Sequence, residues 1–300
     1  MNFDFIGKSK LWFIIALTIV AIGVASLALQ GLNFGIDFTG GTRLVLKLPG
    51  GYTIAEIRDV LGEVEATDAS GRLVTLENSY IQELVGQEDE VVIRTVPLTE
   101  EEQETVLAAI GEKWLDFSTG DIQNVGPVVG GELLRNALWA LLLAAVGIII
   151  YVSFRFQFRY AVTALVALLF DSFVVISAFS LLQIEINSPF VAVILTIVGY
   201  SVNNTIVIFD RLRENLRYNP SEKVLAETVN ASINQTLVRS VNTSITTLLT
   251  VGALLFLGGE TLTPFALPLF IGLITGTFSS IFLSSPLWYA WKVRDSKARA

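Results

Sequence analysis

Cysteine and histidine are both absent from the 300 residues of this chain. Without cysteine the chain can form no disulfide, thiolate nucleophile or cysteine metal site, although it could still face an oxidising compartment. Without histidine, any proton transfer must use Asp, Glu, Lys, Tyr or water. The sequence also lacks a phosphate loop, a metal-ligand cluster and a nucleophile with a suitably spaced base. We therefore expect no enzyme, no cofactor and no nucleic-acid partner.

Charge is scarce as well, since 16% of residues are charged, 52% are hydrophobic and the mean hydropathy is +0.62. These values are too apolar for an ordinary soluble domain and indicate a polytopic membrane protein. A transmembrane helix needs about 20 predominantly apolar residues. Six runs approach this length, at residues 11–29, 137–152, 162–182, 190–208, 241–257 and 265–288.

The distribution of Lys and Arg predicts the topology. Lys8 and Lys10 precede the first run, which is longer than a usual signal core, so we favour a retained helix over a cleaved signal peptide. Further Lys and Arg residues follow the second, fourth and sixth runs, whereas residues 183–188 and 258–263 contain none. Both termini are therefore expected in the cytoplasm. In the inner loop, residues 221–232 are typical of an amphipathic helix on the membrane surface.

Between the first two runs the composition becomes that of a soluble, acidic domain, with 19 Asp and Glu against 6 Lys and Arg over residues 31–134. Alternation of apolar and polar residues predicts strands, and Thr53 and Thr99 are typical helix caps, the second forming a capping box with Glu102. The expected order is strand–helix, a central hairpin, then helix–strand, which is a ferredoxin-like α+β sandwich. The predicted elements are strands 42–48, 73–76 or 80–84, 91–96 and 122–125, and helices 53–61 and 99–110.

The predicted organisation is thus six transmembrane helices with one extracytoplasmic α+β domain between the first two. The segments are residues 1–30 for the N-terminus and first span, 31–134 for the domain, 135–291 for the remaining spans with a cytoplasmic loop at 210–240, and 292–300 for a cytoplasmic tail.

Asp171 lies nine residues into the third run and has no charged neighbour in sequence. An ionisable group at membrane depth is a functional candidate by default, because its charged form is penalised there. The alternative is a protonated Asp that hydrogen-bonds across a helix interface.

Polar residues also cluster in the fourth and fifth runs. A stripe of small polar side chains often only holds helices together. A stripe that begins with Arg instead suggests a polar seam between these two spans, with Asp171 as a third wall. The residues concerned are Ser201, Asn203 and Asn204 in the fourth run, and Arg239, Thr243 and Thr246 in the fifth.

Four motifs in order resemble the SecF family, relatives of the resistance-nodulation-division transporters. They are FGIDFTGGT at 34–42, VGPVVGGE at 125–132, GYSVNNTIVIFDRLREN at 199–215 and INQTLVRS at 233–240. The resemblance implies a six-span subunit in the bacterial inner membrane that pairs with SecD. It also implies use of the proton gradient to help export unfolded polypeptides through the SecYEG channel, with YajC, YidC and membrane lipids as further partners.

The resemblance also assigns residues. The family's intramembrane Asp falls on Asn204 and its membrane Arg falls on Arg239. Asn cannot release a proton at ordinary pH, so Asn204 is either an engineered mimic of a protonated Asp or a natural variant. The family's histidine before Asp171 is Phe170 here. Asp171 thus becomes the first candidate carrier of the coupling ion, H⁺ or Na⁺, with Arg239 stabilising its charged form when the two approach.

Glycine-rich segments flank the soluble domain and predict two hinge-like connections, although a rigid turn is an equal alternative. Their residues are Asp37, Gly40 and Gly41 on entry, and Gly126, Pro127 and Gly130 on return.

Two other functions fit the same sequence features. One is a half-transporter for small molecules or lipids, and the other is a passive assembly factor whose polar residues only pack helices. Loss of precursor secretion, as opposed to loss of resistance to toxic compounds, would discriminate these from export.

Overall fold

The structure, a computed structural model, describes residues 3–49, 51–68, 71–83, 89–218, 224–259 and 262–299. A π-helical segment, Ser280–Ser284, joins the last two helices. The described elements are α1 (Ser9–Gln30), α2 (Ile36–Thr39), β1 (Gly41–Lys47), α3 (Ile54–Gly62), β2 (Glu65–Thr67), β3 (Leu73–Thr75), β4 (Tyr80–Glu83), β5 (Glu90–Thr95), α4 (Glu100–Lys113), β6 (Ser118–Val125), α5 (Pro127–Arg155), α6 (Phe158–Leu182), α7 (Ser188–Tyr218), α8 (Leu225–Leu257), α9 (Thr263–Ser279) and α10 (Ser285–Arg299).

The chain forms two compact units. The sandwich unit runs from Phe34 to Leu138, where the sequence predicts 31–134. The helical unit contains the described residues up to Asn33 and from Trp139 onward.

The sandwich unit contains a four-stranded antiparallel sheet in the order β4-β5-β1-β6. With α3 after β1 and α4 after β5, this is the predicted ferredoxin-like arrangement. Both suggested positions of the intermediate strand are occupied: β4 joins the main sheet, and β3 pairs with β2 in a separate hairpin. Alternate residues of β1, namely Leu44, Leu46 and the following Leu48, are fully buried against the helices.

Both helices of the sandwich begin where the sequence predicts. The Thr53 hydroxyl accepts from the Glu56 backbone N–H at 3.2 Å, and that of Thr99 accepts from Glu102 at 3.3 Å. Each Glu carboxylate in turn accepts a hydrogen bond from the backbone N–H of the capping Thr, so both capping boxes are complete. These bonds hold the pKa of both carboxyls below the ordinary value of 4.5.

Six helices of the described chain are long and apolar enough to cross a membrane, and together they span Ser9–Gln30 and five segments from Pro127 to Asp295. Several are longer than the apolar runs. The second begins at Pro127 instead of residue 137, and the fourth continues to Tyr218 instead of ending at 208. The fourth helix extends beyond its apolar run because Leu212 is fully buried in the core of the helical unit and Leu216 packs against that core.

The predicted helix at residues 221–232 is confirmed as helical from Leu225, but not as a separate helix on a surface. Its first three residues lie outside the described chain, and from Leu225 the backbone continues without interruption to Leu257 as α8. Most of the predicted loop at 210–240 is therefore helix. Buried Val229 and Ile233 explain this continuity, since they pack into the apolar core at this end of the bundle.

The segment that precedes α1 docks on the first turns of α8. Asn230 accepts the backbone N–H groups of Phe5 and Ile6 through its Oδ1, at 2.9 and 3.0 Å, and donates its Nδ2 to the Asp4 carboxylate at 2.8 Å. One turn later, Asn234 exchanges two hydrogen bonds with the Phe3 backbone. We call residues 3–7 with these two Asn side chains the N-terminal clasp.

Candidate functional site

Asp171 lies at the centre of the helical unit and is completely buried. Its Oδ2 accepts two hydroxyl hydrogen bonds, from Ser201 at 2.5 Å and from Ser279 at 2.8 Å. Its Oδ1 is buried and has no hydrogen-bond partner among the residues that the structure describes. The carboxyl group of α6 is thus held by α7 and α9, with no cation among its described contacts.

Close approach of α7 and α9 makes this arrangement possible. A Cβ atom built on Gly272 would collide with Ile197 Cδ1, and one on Gly276 would lie 3.1 Å from Ser201 Cβ. Small residues at a helix contact let two backbones approach more closely than larger side chains allow. Gly276 therefore leaves the room in which Ser201 reaches Asp171.

The π-helical segment extends this polar region. Ser280 and Thr205 share a hydrogen bond of 3.0 Å, and Ser284 donates to the Ser280 carbonyl at 2.8 Å. All three side chains are fully buried. Isolated π-helical turns inside longer helices occur frequently at functional sites, because they redirect side chains and free backbone groups.

Asn204 is also buried, 4% exposed, and its Nδ2 has no hydrogen-bond partner in the described chain. Its neighbour Asn203 points out of the unit and is exposed. Of the polar residues predicted on α7, Ser201 is the one that contacts Asp171.

The predicted stripe on α8 faces outward. Arg239, Thr243 and Thr246 are all exposed in this single chain, and the two threonines donate their hydroxyls to α8's own carbonyls. Ser244, which does face inward, accepts from Tyr200 at 3.3 Å and from Thr277 at 2.7 Å.

A polar contact between α7 and α8 is therefore present through Tyr200 and Ser244, but Arg239, Thr243 and Thr246 do not form it. Asp171 contacts α7 and α9 instead of α8, and no hydrogen bond of the described chain joins it to Arg239. Sequence reasoning missed Ser279, Ser280 and Gly276. A signal was present, since Gly272, Gly276 and Ser279 recur at helical spacing in an otherwise apolar run.

The predicted hinge residues meet inside the sandwich unit. Gly40 has φ 72° and Gly41 has φ 135°, a region that favours glycine. A Cβ on Gly40 would lie 2.7 Å from the Pro127 backbone, and one on Gly130 would lie 2.9 Å from the Gly40 nitrogen. This backbone packing favours the rigid alternative, while Gly126 has open space around it and Asp37 lies in the first turn of α2.

Within the described ranges no three acidic side chains converge in a way that could hold a metal ion. Asp171 with the Ser201 and Ser279 hydroxyls is an oxygen-only set. Such groups suit a proton or a small hard cation better than a transition metal.

Two family models match this sequence. One is described as "Protein export membrane protein SecD/SecF, C-terminal" and matches residues 104–294. The other is described as "SecD/SecF GG Motif" and matches residues 25–48, which include the Gly40–Gly41 turn.

Full-length relatives agree with these matches. Protein translocase subunit SecF of Calditerrivibrio nitroreducens is 39% identical over 301 residues, which cover 97% of this chain and 94% of that protein. Protein translocase subunit SecDF of Bacillus subtilis is 36% identical over 99% of this chain. This chain corresponds to 39% of that longer protein.

Solved structures show the same fold. A crystal structure of SecDF from Thermus thermophilus, described as a translocon-associated membrane protein, matches with a TM-score of 0.85 at 37% identity. That match covers 97% of this chain and 39% of the other. SecDF in a super-membrane-facing form matches 100% of this chain with a TM-score of 0.70, at the same identity, and this chain covers 40% of it.

Proposed function

The chain belongs to the SecF subunits of the SecD/SecF family of protein export membrane proteins, and on that premise we propose that it couples ion movement to polypeptide export. It is a multi-pass membrane protein of a protein translocase. The proposed energy source is the proton gradient, and the proposed substrate is an unfolded polypeptide that leaves the SecYEG channel. Basic residues at the ends of the first, second, fourth and sixth helices support a cytoplasmic location for both termini.

The buried carboxyl group of Asp171 is the observation that carries this proposal. An ionised carboxylate without a cation is costly at membrane depth, so the group favours uptake of a proton or a small cation. Its contacts come from α7 and α9, so a change in its charge would act on the packing of three helices at once. Such a link between charge and packing is what ion-coupled motion requires.

Asn204 and Arg239 have different roles in this proposal. Asn204 cannot carry a proton, but its unpartnered Nδ2 lies in the same polar region of α7 and would keep that region in a protonated-like state. Arg239 is exposed in the isolated chain, which fits a contact with another subunit better than a contact with Asp171 in this conformation.

We assign the exposed α8 stripe, Arg239 to Thr246, to the contact with SecD. The two threonine hydroxyls are satisfied by α8's own carbonyls, but an Arg side chain that faces hydrocarbon costs roughly 2.5–3.5 kcal/mol near the middle of a membrane helix. A protein partner would offer hydrogen-bond acceptors to the Arg239 guanidinium. SecDF relatives, in which the segment similar to this chain makes up about two fifths of the protein, support SecD as that partner.

Export of a precursor into membrane vesicles tests the proposal. Vesicles containing SecYEG, SecD and this chain are compared with and without a proton gradient, for the natural sequence, Asp171→Asn and Asn204→Asp. The matched control is Asp210→Asn, because Asp210 is exposed and forms only a 3.5 Å surface ion pair with Arg155.

We expect gradient-dependent export to be lost in Asp171→Asn and retained in Asp210→Asn. If Asn204→Asp raises export above the natural sequence, position 204 is a second carrier that this chain lacks. Full gradient-dependent export by Asp171→Asn would refute the assignment of Asp171 and leave the family membership untouched.

A further inference from the structure

A cavity of about 490 Å³ lies in the helical unit, at the end that contains residues 3–8 and α10. Three cationic side chains line it, Arg213 and Arg217 from α7 and Lys292 from α10. None of its described lining residues is acidic. We call this cavity the cationic pocket.

The positive charge of the pocket is not neutralised by the described part of the chain. No ion pair involves Arg217 or Lys292 there, and Arg213 donates one guanidinium N–H to the Arg155 carbonyl at 3.0 Å. Nearby acidic side chains pair with other arginines: Glu214 with Arg211, Asp295 with Arg159, and Asp210 with Arg155. Among the described residues, the pocket therefore has three cations and no acidic partner for Arg217 or Lys292.

Rigid aromatic side chains form one wall. Tyr160 and Trp288 stack with ring centroids 4.9 Å apart and an interplanar angle of 20°, and both are 3% exposed. The Trp288 indole Nε1 is buried and has no hydrogen-bond partner in the described chain. Because a buried indole N–H usually has a partner, this side chain of the pocket wall offers a donor to a bound polar group.

Apolar side chains complete the lining. Leu216 of α7 and Leu225, the first residue of α8, line the pocket together with the cations. Tyr and Trp are enriched at the headgroup level of membranes, and basic pockets between helices on the cytoplasmic side bind anionic headgroups.

We infer that the cationic pocket binds the phosphate headgroup of an anionic phospholipid. Two guanidinium groups, an ammonium group and the Gln157 amide supply several donors for phosphate oxygens, and the leucines contact the glycerol and upper acyl carbons. Free phosphate shares the headgroup chemistry but would leave the apolar wall uncovered. This site would operate in the cytoplasmic leaflet, given the proposed topology, and it does not depend on ion coupling by Asp171.

The test is lipid retention by the full chain, measured by native mass spectrometry from micelles that contain phosphatidylglycerol or phosphatidylcholine. The site variant is Arg217→Gln with Lys292→Gln. The matched control is Lys10→Gln with Arg294→Gln, which removes two exposed positive charges without changing any residue that lines the pocket.

We expect one phosphatidylglycerol per chain on the natural protein and on the control, and none of phosphatidylcholine. The site variant should bind phosphatidylglycerol about 30-fold more weakly, because each Lys or Arg near an anionic membrane strengthens binding about fivefold and the variant removes two of them. Equal loss in the control and the site variant would overturn the inference, because it would indicate general surface charge.

Two further arms separate other occupants. If inorganic phosphate alone displaces phosphatidylglycerol from the natural protein, the site takes free phosphate and the lipid assignment is wrong. If co-purified SecD displaces the lipid, the cations serve a partner surface and the assignment is again wrong. Should the double variant fail to fold, Lys292→Gln alone is expected to weaken retention about fivefold, and an unchanged affinity would overturn the inference.

Discussion

Replacing Asp171 by Asn or by Ala should have very different effects on stability. Asn keeps one carbonyl oxygen that can accept both the Ser201 and Ser279 hydroxyls, so we expect a cost below about 1 kcal/mol. Ala removes the acceptor altogether. Ser279 can turn to the Gly276 carbonyl, already 3.3 Å away, but the Ser201 hydroxyl makes no other hydrogen bond in the described chain.

The expected cost of Asp171→Ala follows from these contacts. An unsatisfied buried hydroxyl costs about 1–3 kcal/mol, and loss of the second hydrogen bond adds about 1 kcal/mol. The total is roughly 2–4 kcal/mol, which corresponds to a fall of about 4–8 °C in the unfolding midpoint for a chain of this size. Thermal unfolding of the full chain in nanodiscs measures it, with Asp210→Asn and Asp210→Ala as exposed controls expected to change by about 1 kcal/mol or less.

Comparing the Asn and Ala variants tests whether position 171 must supply a negative charge or only a hydrogen-bond acceptor. If Asn is as destabilising as Ala, the site needs a negative charge, as it would with a bound sodium ion. If Ala is as stable as Asn, the two serines do not depend on Asp171 and the geometric argument is refuted.

Three other substitutions and a change of pH have defined outcomes. Gly40→Ala should destabilise the sandwich unit by roughly 1–3 kcal/mol through backbone strain alone, seen as faster hydrogen exchange in β1, whereas Gly126→Ala should have little effect. Asn230→Ala should release the N-terminal clasp and expose it to proteases, a result that unchanged digestion would contradict. Hydrogen bonds from the Gly7 backbone N–H and from Asn230 hold the pKa of Asp4 below its ordinary value of 3.8. The contribution of Asp4 to the clasp is therefore present above pH 3.8 and is lost as the pH falls through the lowered pKa. Proteolysis of the N-terminal segment at a series of pH values measures this loss. Arg239→Ala should leave the unfolding midpoint unchanged and reduce the SecD that co-purifies; normal co-purification would refute the assignment of the stripe.

Local signals predicted the sandwich unit well. Thr53 and Thr99 each satisfy the first turn of a helix through contacts within four residues, so their effect can be read without knowing the rest of the fold. The membrane helices were also predicted from a local signal, the hydropathy of each run. The predicted ends of these helices were less accurate, because hydropathy marks where a helix leaves an apolar environment, not where its backbone hydrogen bonds stop. Leu212 and Val229 continue their helices by packing against distant residues.

The polar site was predicted only in part, because a stripe of side chains on one helix does not say which neighbour it faces. Arg239 and Thr243 share a face, as predicted, but tertiary packing turns that face outward. Ser279 was missed since a serine in an apolar helix commonly bonds to its own backbone. Only the approach of α7 and α9 at Gly276 shows that Ser279 also serves Asp171.

The unbroken length of α8 has a mechanical consequence. Its 33 residues form a rod about 50 Å long, which exceeds the hydrocarbon core of a bilayer by about 20 Å. A tilt of about 10° around its midpoint would move each end by about 4 Å. The end of α8 that contains Asn230, which hydrogen-bonds the segment before α1, would then move in the opposite direction to the Leu257 end. This helix can act as a lever that reports a displacement on one side of the membrane to the other, without any new contact being formed between them.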